Sequence, residues 1–123
     1  MKKICFDIDN IICKTNGSNY KKSKPILLAI KKINQLYKKN YIILFTARFM
    51  GRTNDNTLQA KKLGYNLTKK QLKDWGVSYH KLIMGKPSYD LLIDDLSLNF
   101  KKSWYKDIDK YLKKKNDTTH RGI

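Results

Sequence analysis

The sequence predicts an α/β fold with a mainly parallel sheet, and three observations lead to that prediction. Short apolar runs rich in β-branched and aromatic residues alternate with longer segments of helical periodicity. These runs lack the polar alternation of a half-exposed sheet, which is typical of parallel strands covered on both faces. The length of 123 residues suits one domain with a real core but not a two-domain enzyme. We therefore expect a single domain over residues 1–115 and a flexible tail over residues 116–123.

The first half of the chain predicts two strands joined by a loop and a helix. Residues 3–8 predict the first strand, and residues 10–24 predict a polar loop or small hairpin. Pro25 is placed to open the first helix, since Pro is favoured in a first helical turn. Residues 41–45 predict the second strand.

The second half predicts two short helices, two strands and a terminal helix. We expect a helix from Thr57 to break near Gly64, and a capping box at Thr68 to begin another. The remaining predicted elements are a strand over 81–84, a last strand over 91–95 and an amphipathic helix over 101–115. No connecting segment is long enough for an inserted cap domain.

The charge balance bears on which partners the chain can have. It has 27 Lys and Arg against 10 Asp and Glu, a formal charge of +17. Such a field attracts nucleic acid, anionic lipid or phosphorylated small molecules. Almost all of the positive charge is scattered Lys, however, whereas Arg is the residue preferred for bidentate phosphate and base recognition. The composition therefore favours a solvated lysine surface over a nucleic-acid partner.

Membrane and redox signals are weak. No apolar run approaches the ~20 residues needed to span a bilayer. Asp7 and Asp9 interrupt the first apolar stretch, which is unlike a signal peptide. Cys5 and Cys13 have no metal-ligand spacing, and we expect structural thiols with Cys5 buried in the first strand. We expect a cytoplasmic protein with no membrane partner.

The most informative feature is a pair of acidic clusters at two predicted strand ends, Asp7-Ile8-Asp9 and Asp94-Asp95. In open α/β sheets, ligands bind beyond the carboxyl ends of the strands. Four carboxylates gathered there would repel one another, and oxygen ligands suit a hard divalent cation. The sequence therefore predicts Mg²⁺ held by these four residues, with Asp9 contributing its main-chain carbonyl.

The strand-end residues each suit one task in phosphoryl transfer. Asp7 is placed to be a nucleophile that forms an aspartyl-phosphate. Asp9 could protonate the leaving oxygen and later deprotonate the attacking water. Lys86 would supply a fixed positive charge against the developing negative charge. The hydroxyl of Thr46 and the backbone N–H groups from Ala47 onward could hold phosphoryl oxygens.

The ordered set of strand-end residues resembles the four motifs of the haloacid dehalogenase-like (HAD) phosphohydrolase superfamily: Asp7-x-Asp9, Thr46, Lys86 and Asp94-Asp95. The match runs from about residue 3 to residue 100. Segments 44–48, 84–87 and 92–95 resemble a narrower group of small capless members associated with bacterial capsule and surface-polysaccharide synthesis. The resemblance implies a Rossmann-like core and Mg²⁺-dependent hydrolysis of a small sugar or polyol phosphate. Position 10 is Asn, where many members have Gly.

Several alternatives remain open from the sequence. Arg48 and Arg52 could grip the substrate or lie on the surface. The loop over 10–24 could act as a lid, or a neighbouring subunit of a homo-oligomer could cover the site. Only seven residues separate Lys86 from Asp94, too few for a helical crossover, so the chain either returns in an extended segment or the third strand is irregular.

Two other functions compete with the sugar-phosphate reading. The first is a phosphatase acting on nucleotides or nucleic-acid termini, which the basic surface would attract. The second is a non-catalytic HAD-fold binding protein in which a displaced Lys86 has abolished turnover.

Overall fold

A computed structural model describes residues 1–115 of the chain, so the predicted tail over 116–123 lies outside the described residues. The chain divides into two compact units, of which the first is Met1–Asp90 and the second begins at Leu91. The single domain over residues 1–115 stays a prediction.

The first unit contains a parallel sheet, a small hairpin, two α-helices and two short 3-10 helices (Tyr20–Lys22 and Gly51–Thr53). Its strands and α-helices in chain order are β1 (Lys3–Phe6), β2 (Cys13–Lys14), β3 (Lys24–Pro25), α1 (Leu27–Tyr37), β4 (Tyr41–Thr46), α2 (Thr57–Asp74) and β5 (Lys81–Met84). The second unit contains α3 (Trp104–Lys115). The predicted helix over 101–115 is confirmed, with its first residue at Trp104.

The three longer strands form one parallel sheet in the order β1-β4-β5. In its register Phe6 lies beside Leu44, and Thr46 lies beside Met84. All three strands therefore end at the same edge. α1 packs on β4 and α2 packs on β5, so the predicted α/β class with a parallel sheet flanked by helices is confirmed.

Both helices face the sheet with residues at helical spacing. α1 buries Ala29, Ile30, Ile33 and Leu36, and burial of a large aliphatic side chain contributes about 1.5–3 kcal/mol. Pro25 does not open this helix as predicted. It is the second residue of β3 and pairs with Cys13. The segment predicted as a loop or hairpin forms a hairpin, and the fixed φ of Pro is compatible with such a short strand at a sheet edge.

The predicted break in the second helix is wrong. α2 runs without interruption from Thr57 to Asp74. Gly64 is buried within it, and a Cβ at this position would lie 2.3 Å from Cδ2 of Phe49. Glycine is present because an aromatic ring needs the space, and not because the helix ends. Thr68 is likewise fully buried inside α2 instead of capping a new helix.

The predicted last strand over 91–95 is also wrong. Residues 91–94 have no regular secondary structure, and Asp95 lies in a turn. Leu91 and Ile93 are 78% and 89% exposed. The link after β5 is too short for the crossover that brings a parallel strand into a sheet. β5 is regular, so the alternative of an irregular third strand is wrong, and residues 85–94 contain no strand that returns to the sheet.

The two cysteines have different surroundings, and neither forms a disulfide. Cys13 is buried, as expected for a structural thiol, but Cys5 is exposed. The prediction that Cys5 is buried is wrong, since Phe6 is the buried residue of β1 and Cys5 lies on the other face of the strand. Within residues 1–115, no helix has the length and apolar character needed to cross a membrane.

Candidate active site

Asp7 and Lys86 meet at the carboxyl edge of the sheet. Asp7 directly follows β1, and Lys86 follows β5 after Gly85, whose positive φ of 96° turns the chain. Nζ of Lys86 lies 3.1 Å from Oδ2 of Asp7. Oδ1 of Asp7 accepts a 2.7 Å hydrogen bond from the backbone N–H of Ile8. Two residues 79 positions apart in the sequence thus form an ion pair at this edge of the sheet.

The surroundings of Lys86 favour its charged form. Partial burial alone would lower its pKa, but contacts with Tyr89 and with the carboxylate of Asp7 outweigh burial. The pKa of Lys86 therefore lies above the ordinary 10.5. Nζ also lies 5.2 Å from the centre of the Tyr89 ring. Lys86 is a fixed positive charge beside Asp7, with an aromatic side chain next to it.

Thr46 ends the central strand β4 and is completely buried. Its hydroxyl oxygen accepts a hydrogen bond of 3.1 Å from the backbone N–H of Arg48. Its carbonyl oxygen accepts one of 3.1 Å from the backbone N–H of Lys86. The Thr46 side chain thus shapes the turn through Ala47, and this turn follows the same edge of the sheet as Asp7.

Asp9 lies two residues beyond Asp7, on a turn that requires a left-handed residue. Asn10 has φ of 66°, and Asn tolerates this conformation better than most non-glycine residues. Asn is therefore compatible with the backbone at this turn, as Gly would be. The Asp9 side chain points back towards the hairpin, where Oδ1 accepts a 2.6 Å hydrogen bond from the hydroxyl of Thr15.

Arg48 forms an ion pair with the same carboxylate. Nη2 of Arg48 lies 2.9 Å from Oδ1 of Asp9, and Nε lies 3.0 Å from Oδ2. Arg48 is only 1% exposed, and its Nη1 donates to Thr68 and Gln71 of α2. The prediction that this side chain grips the substrate directly is disfavoured by its burial, because its donors already have partners inside the protein.

Tyr20 and Arg52 hold the loop over 10–24 against the rest of the first unit. The Tyr20 ring packs on Phe49 with a centroid separation of 4.9 Å, and its carbonyl oxygen accepts a 2.6 Å hydrogen bond from Nε2 of Gln71. Arg52 is exposed, and its Nη2 donates to the Ser18 carbonyl oxygen over 3.0 Å. These contacts fasten the loop in place, and the guanidinium of Arg52 remains at the surface.

The acidic pair Asp94-Asp95 belongs to the second unit. Oδ1 of Asp94 accepts a 2.9 Å hydrogen bond from the backbone N–H of Leu96, as is typical of an Asp that starts a turn. Within the part of the chain that the structure describes, no group of three His, Cys, Asp or Glu side chains is arranged to hold a metal ion. The donor atoms are the oxygens that Mg²⁺ prefers, and the predicted ligands that lie in the first unit are Asp7 and Asp9.

The sequence pattern did not reveal three residues that contact this site. Thr15 lies six residues beyond Asp9 and Gln71 lies in the segment that predicted a capping box, but nothing in their local sequence signals a role at this site. Tyr89 follows Lys86 by three residues, so only its proximity in sequence could have indicated the contact.

Comparison with known proteins supports the fold and does not extend to the activity. No protein-family model matches the chain, and no curated protein matches it. A crystal structure of a target protein from Vibrio cholerae has the same architecture, with a TM-score of 0.79 over 94% of this chain and 99% of that chain. At 23% identity, the likeness establishes a shared fold alone.

Proposed function

We propose that the chain is a HAD-type phosphomonoester hydrolase acting through an aspartyl-phosphate. The observation that carries the proposal is the 3.1 Å contact between Nζ of Lys86 and Oδ2 of Asp7. A nucleophilic carboxylate needs a nearby cation that also meets the negative charge developing on the phosphoryl group. Asp7 retains access for this role, since its side chain is 36% exposed.

The proposed reaction has two steps. In the first, a carboxylate oxygen of Asp7 bonds to phosphorus while the ester P–O bond breaks, and Asp9 gives a proton to the departing oxygen. In the second, Asp9 takes a proton from water, and the water oxygen bonds to phosphorus as the bond from phosphorus to Asp7 breaks. Inorganic phosphate leaves, and Asp7 is regenerated. An acid/base placed in this way typically contributes ~10²–10⁴-fold.

Mg²⁺ is the proposed cofactor. Within the first unit, Asp7 and the main-chain carbonyl of Asp9 would supply oxygen ligands, while Asp94 and Asp95 are added as ligand and orienting residue by the resemblance alone. The ion would neutralise phosphoryl oxygens and orient the ester. The basis for this part of the proposal is the chemistry of the donor set and the resemblance to HAD proteins.

The substrate class also rests on the resemblance. A small sugar or polyol phosphate, used in capsule or surface-polysaccharide synthesis in the cytoplasm, is the proposed substrate. The exposed Tyr89 beside Lys86 supports a small ring-bearing leaving group, because aromatic faces pack well against the C–H groups of sugars. Assembly into a homo-oligomer is part of the same proposal.

Phosphate release from sugar, polyol and nucleotide monophosphates tests the function. The wild type is compared with Asp7→Asn in the presence of Mg²⁺ and of EDTA. Asp74→Asn is the matched control, because it removes an exposed carboxylate of α2 that pairs only with Lys70 in the described contacts. We expect turnover that needs Mg²⁺, disappears in Asp7→Asn and survives in Asp74→Asn.

Two results would contradict the proposal. If the folded wild type released phosphate from none of the esters, the proposed phosphatase activity would be wrong, and the alternative of a non-catalytic binding protein would remain. If turnover were confined to nucleotides or nucleic-acid ends and fell steeply with added salt, the substrates would be these polyanions and not sugar or polyol phosphates.

A further inference from the structure

We propose that Arg48 is a positioning residue that fixes which oxygen of Asp9 faces the reacting ester. The inference rests on the proposed phosphatase activity and adds a residue that acts through Asp9 without touching the substrate. It also replaces the direct substrate contact that the sequence suggested for Arg48.

The contact between Arg48 and Asp9 restrains the carboxylate in two directions. Nε of Arg48 lies 3.0 Å from Oδ2 and 3.2 Å from Oδ1, while Nη2 lies 2.9 Å from Oδ1. Two donors of a planar guanidinium therefore meet both oxygens of the carboxylate. Such a pair fixes the plane of the carboxylate as well as its distance from the guanidinium, whereas a single ammonium group would fix the distance alone.

The two oxygens of Asp9 are unequally occupied. Oδ1 also accepts the hydroxyl of Thr15 at 2.6 Å and lies 3.6 Å from the thiol sulfur of Cys13. In the described contacts, Oδ2 accepts from Nε of Arg48 alone. A carboxylate oxygen can accept about two hydrogen bonds. Oδ2 is consequently the oxygen with capacity left for the leaving group or the attacking water.

The far side of the guanidinium is anchored, so the restraint is firm. Nη1 donates to Oγ1 of Thr68 at 3.3 Å and to Oε1 of Gln71, both on α2. Gln71 in turn donates to the Tyr20 carbonyl oxygen at 2.6 Å. The Tyr20 ring lies 5.0 Å from Cζ of Arg48. The orientation of Asp9 is thereby tied to helix α2 and to the loop over 10–24.

A buried arginine also affects stability, and the test has to separate the two effects. Removing one partner of a buried ion pair leaves the other charge without compensation. If Arg48 had only a structural role, its substitution would lower activity on every ester by the same factor, in proportion to the fraction of protein that remains folded. A positioning role would lower activity most where the reaction depends on the proton that Asp9 delivers.

The experiment compares kcat/KM for an alkyl phosphate and for 4-nitrophenyl phosphate. This parameter reports the steps through departure of the first product, and 4-nitrophenolate leaves without needing a proton. The proteins are wild type, Arg48→Gln, Asp9→Asn and the double variant. Ile33→Ala is the stability control, because it empties a buried site of α1.

We expect Arg48→Gln to lower the alkyl-to-aryl ratio of kcat/KM about 10²-fold, the size of the loss that a misplaced catalytic group typically causes. In the Asp9→Asn background, the same change should leave the ratio within about twofold, because residues acting as one unit are non-additive. Ile33→Ala should leave the ratio as in the wild type. Arg48→Lys keeps the charge but not the planar fork, and serves in place of Arg48→Gln if that variant does not fold.

The outcomes distinguish this inference from the function on which it rests. An unchanged ratio in folded Arg48 variants, or equal losses with and without Asp9, would overturn the positioning role while leaving the phosphatase intact. Absence of turnover in the wild type would overturn both.

Discussion

The ring of Phe49 lies against the backbone of Gly64 in the middle of helix α2. A Cβ at residue 64 would come within 2.3 Å of Cδ2 and 2.6 Å of Cε2 of that ring. Phe49 itself has a left-handed backbone with φ of 65°, which is rare for an aromatic residue. The turn after β4 and the surface of α2 are thus fitted to each other at this contact, immediately beside Arg48.

Gly64→Ala should destabilise the protein even though alanine is the better helix former. Alanine would gain up to about 1 kcal/mol in helix propensity, whereas forcing a methyl group into packed space costs about 1–3 kcal/mol. We expect a lower free energy of unfolding in urea. Gly51→Ala is the control, since a Cβ there meets no atom within 4 Å. Equal stability of the two variants would show that the Phe49 ring can move away from the added methyl group without a loss of folding free energy.

Loss of the Lys86 charge should have a pH-dependent effect on stability. The pKa of Lys86 is raised above 10.5, so its contribution is fully present below about pH 10.5. That contribution is lost as the pH rises through the higher pKa of the folded state. The wild type should have a free energy of unfolding about 1 kcal/mol higher than that of Lys86→Met, and this difference should be constant from pH 7 to 9. It should shrink above pH 10.5, and a difference that instead grew with pH would contradict the contact with Asp7.

Tyr89 should influence the titration of Lys86. Its side chain is the first of the contacts that raise the pKa of Lys86, followed by the charge of Asp7. Tyr89→Ala should therefore lower this pKa, measured by NMR from the Cε resonance of Lys86 between pH 8 and 12. Tyr105→Ala, which changes a tyrosine of α3, is the comparison. If both variants titrate Lys86 as the wild type does, the contact between Lys86 and Tyr89 does not persist in solution.

His80 should matter for the sheet and not for catalysis. Its Nδ1 accepts a 2.9 Å hydrogen bond from the backbone N–H of Ile42, and its ring stacks between Tyr37 and Tyr41 at 4.3 and 4.7 Å. His80→Phe would keep the stacking but remove the acceptor, at an expected cost of about 1–3 kcal/mol in unfolding free energy. Tyr37→Phe, which keeps its ring, should change stability by less than about 0.5 kcal/mol. A change in His80→Phe as small as that in Tyr37→Phe would show that the hydrogen bond to the Ile42 backbone contributes little to stability.

The elements that could be predicted are those whose signal is local. β4 and β5 were predicted within one residue because a short apolar run with turn residues on each side has few other interpretations. The strand-end placement of Asp7 and Lys86 followed from the same runs, since parallel strands finish at one edge. The helix break at Gly64 was predicted wrongly for the opposite reason, because Gly can mark either a helix end or a close contact with a distant residue.

By itself, the sequence determined the α/β class, the order of the strands along the chain and the residues that follow each strand. Periodicity and residue type specify these features over a few neighbouring positions. Only the tertiary structure decided that Arg48 turns inward to Asp9 and α2, that Tyr20 fastens the hairpin loop, and that residues 91–94 form no strand. Each of these depends on which distant donor, acceptor or strand edge lies within a few ångströms, and spacing along the chain does not encode that distance.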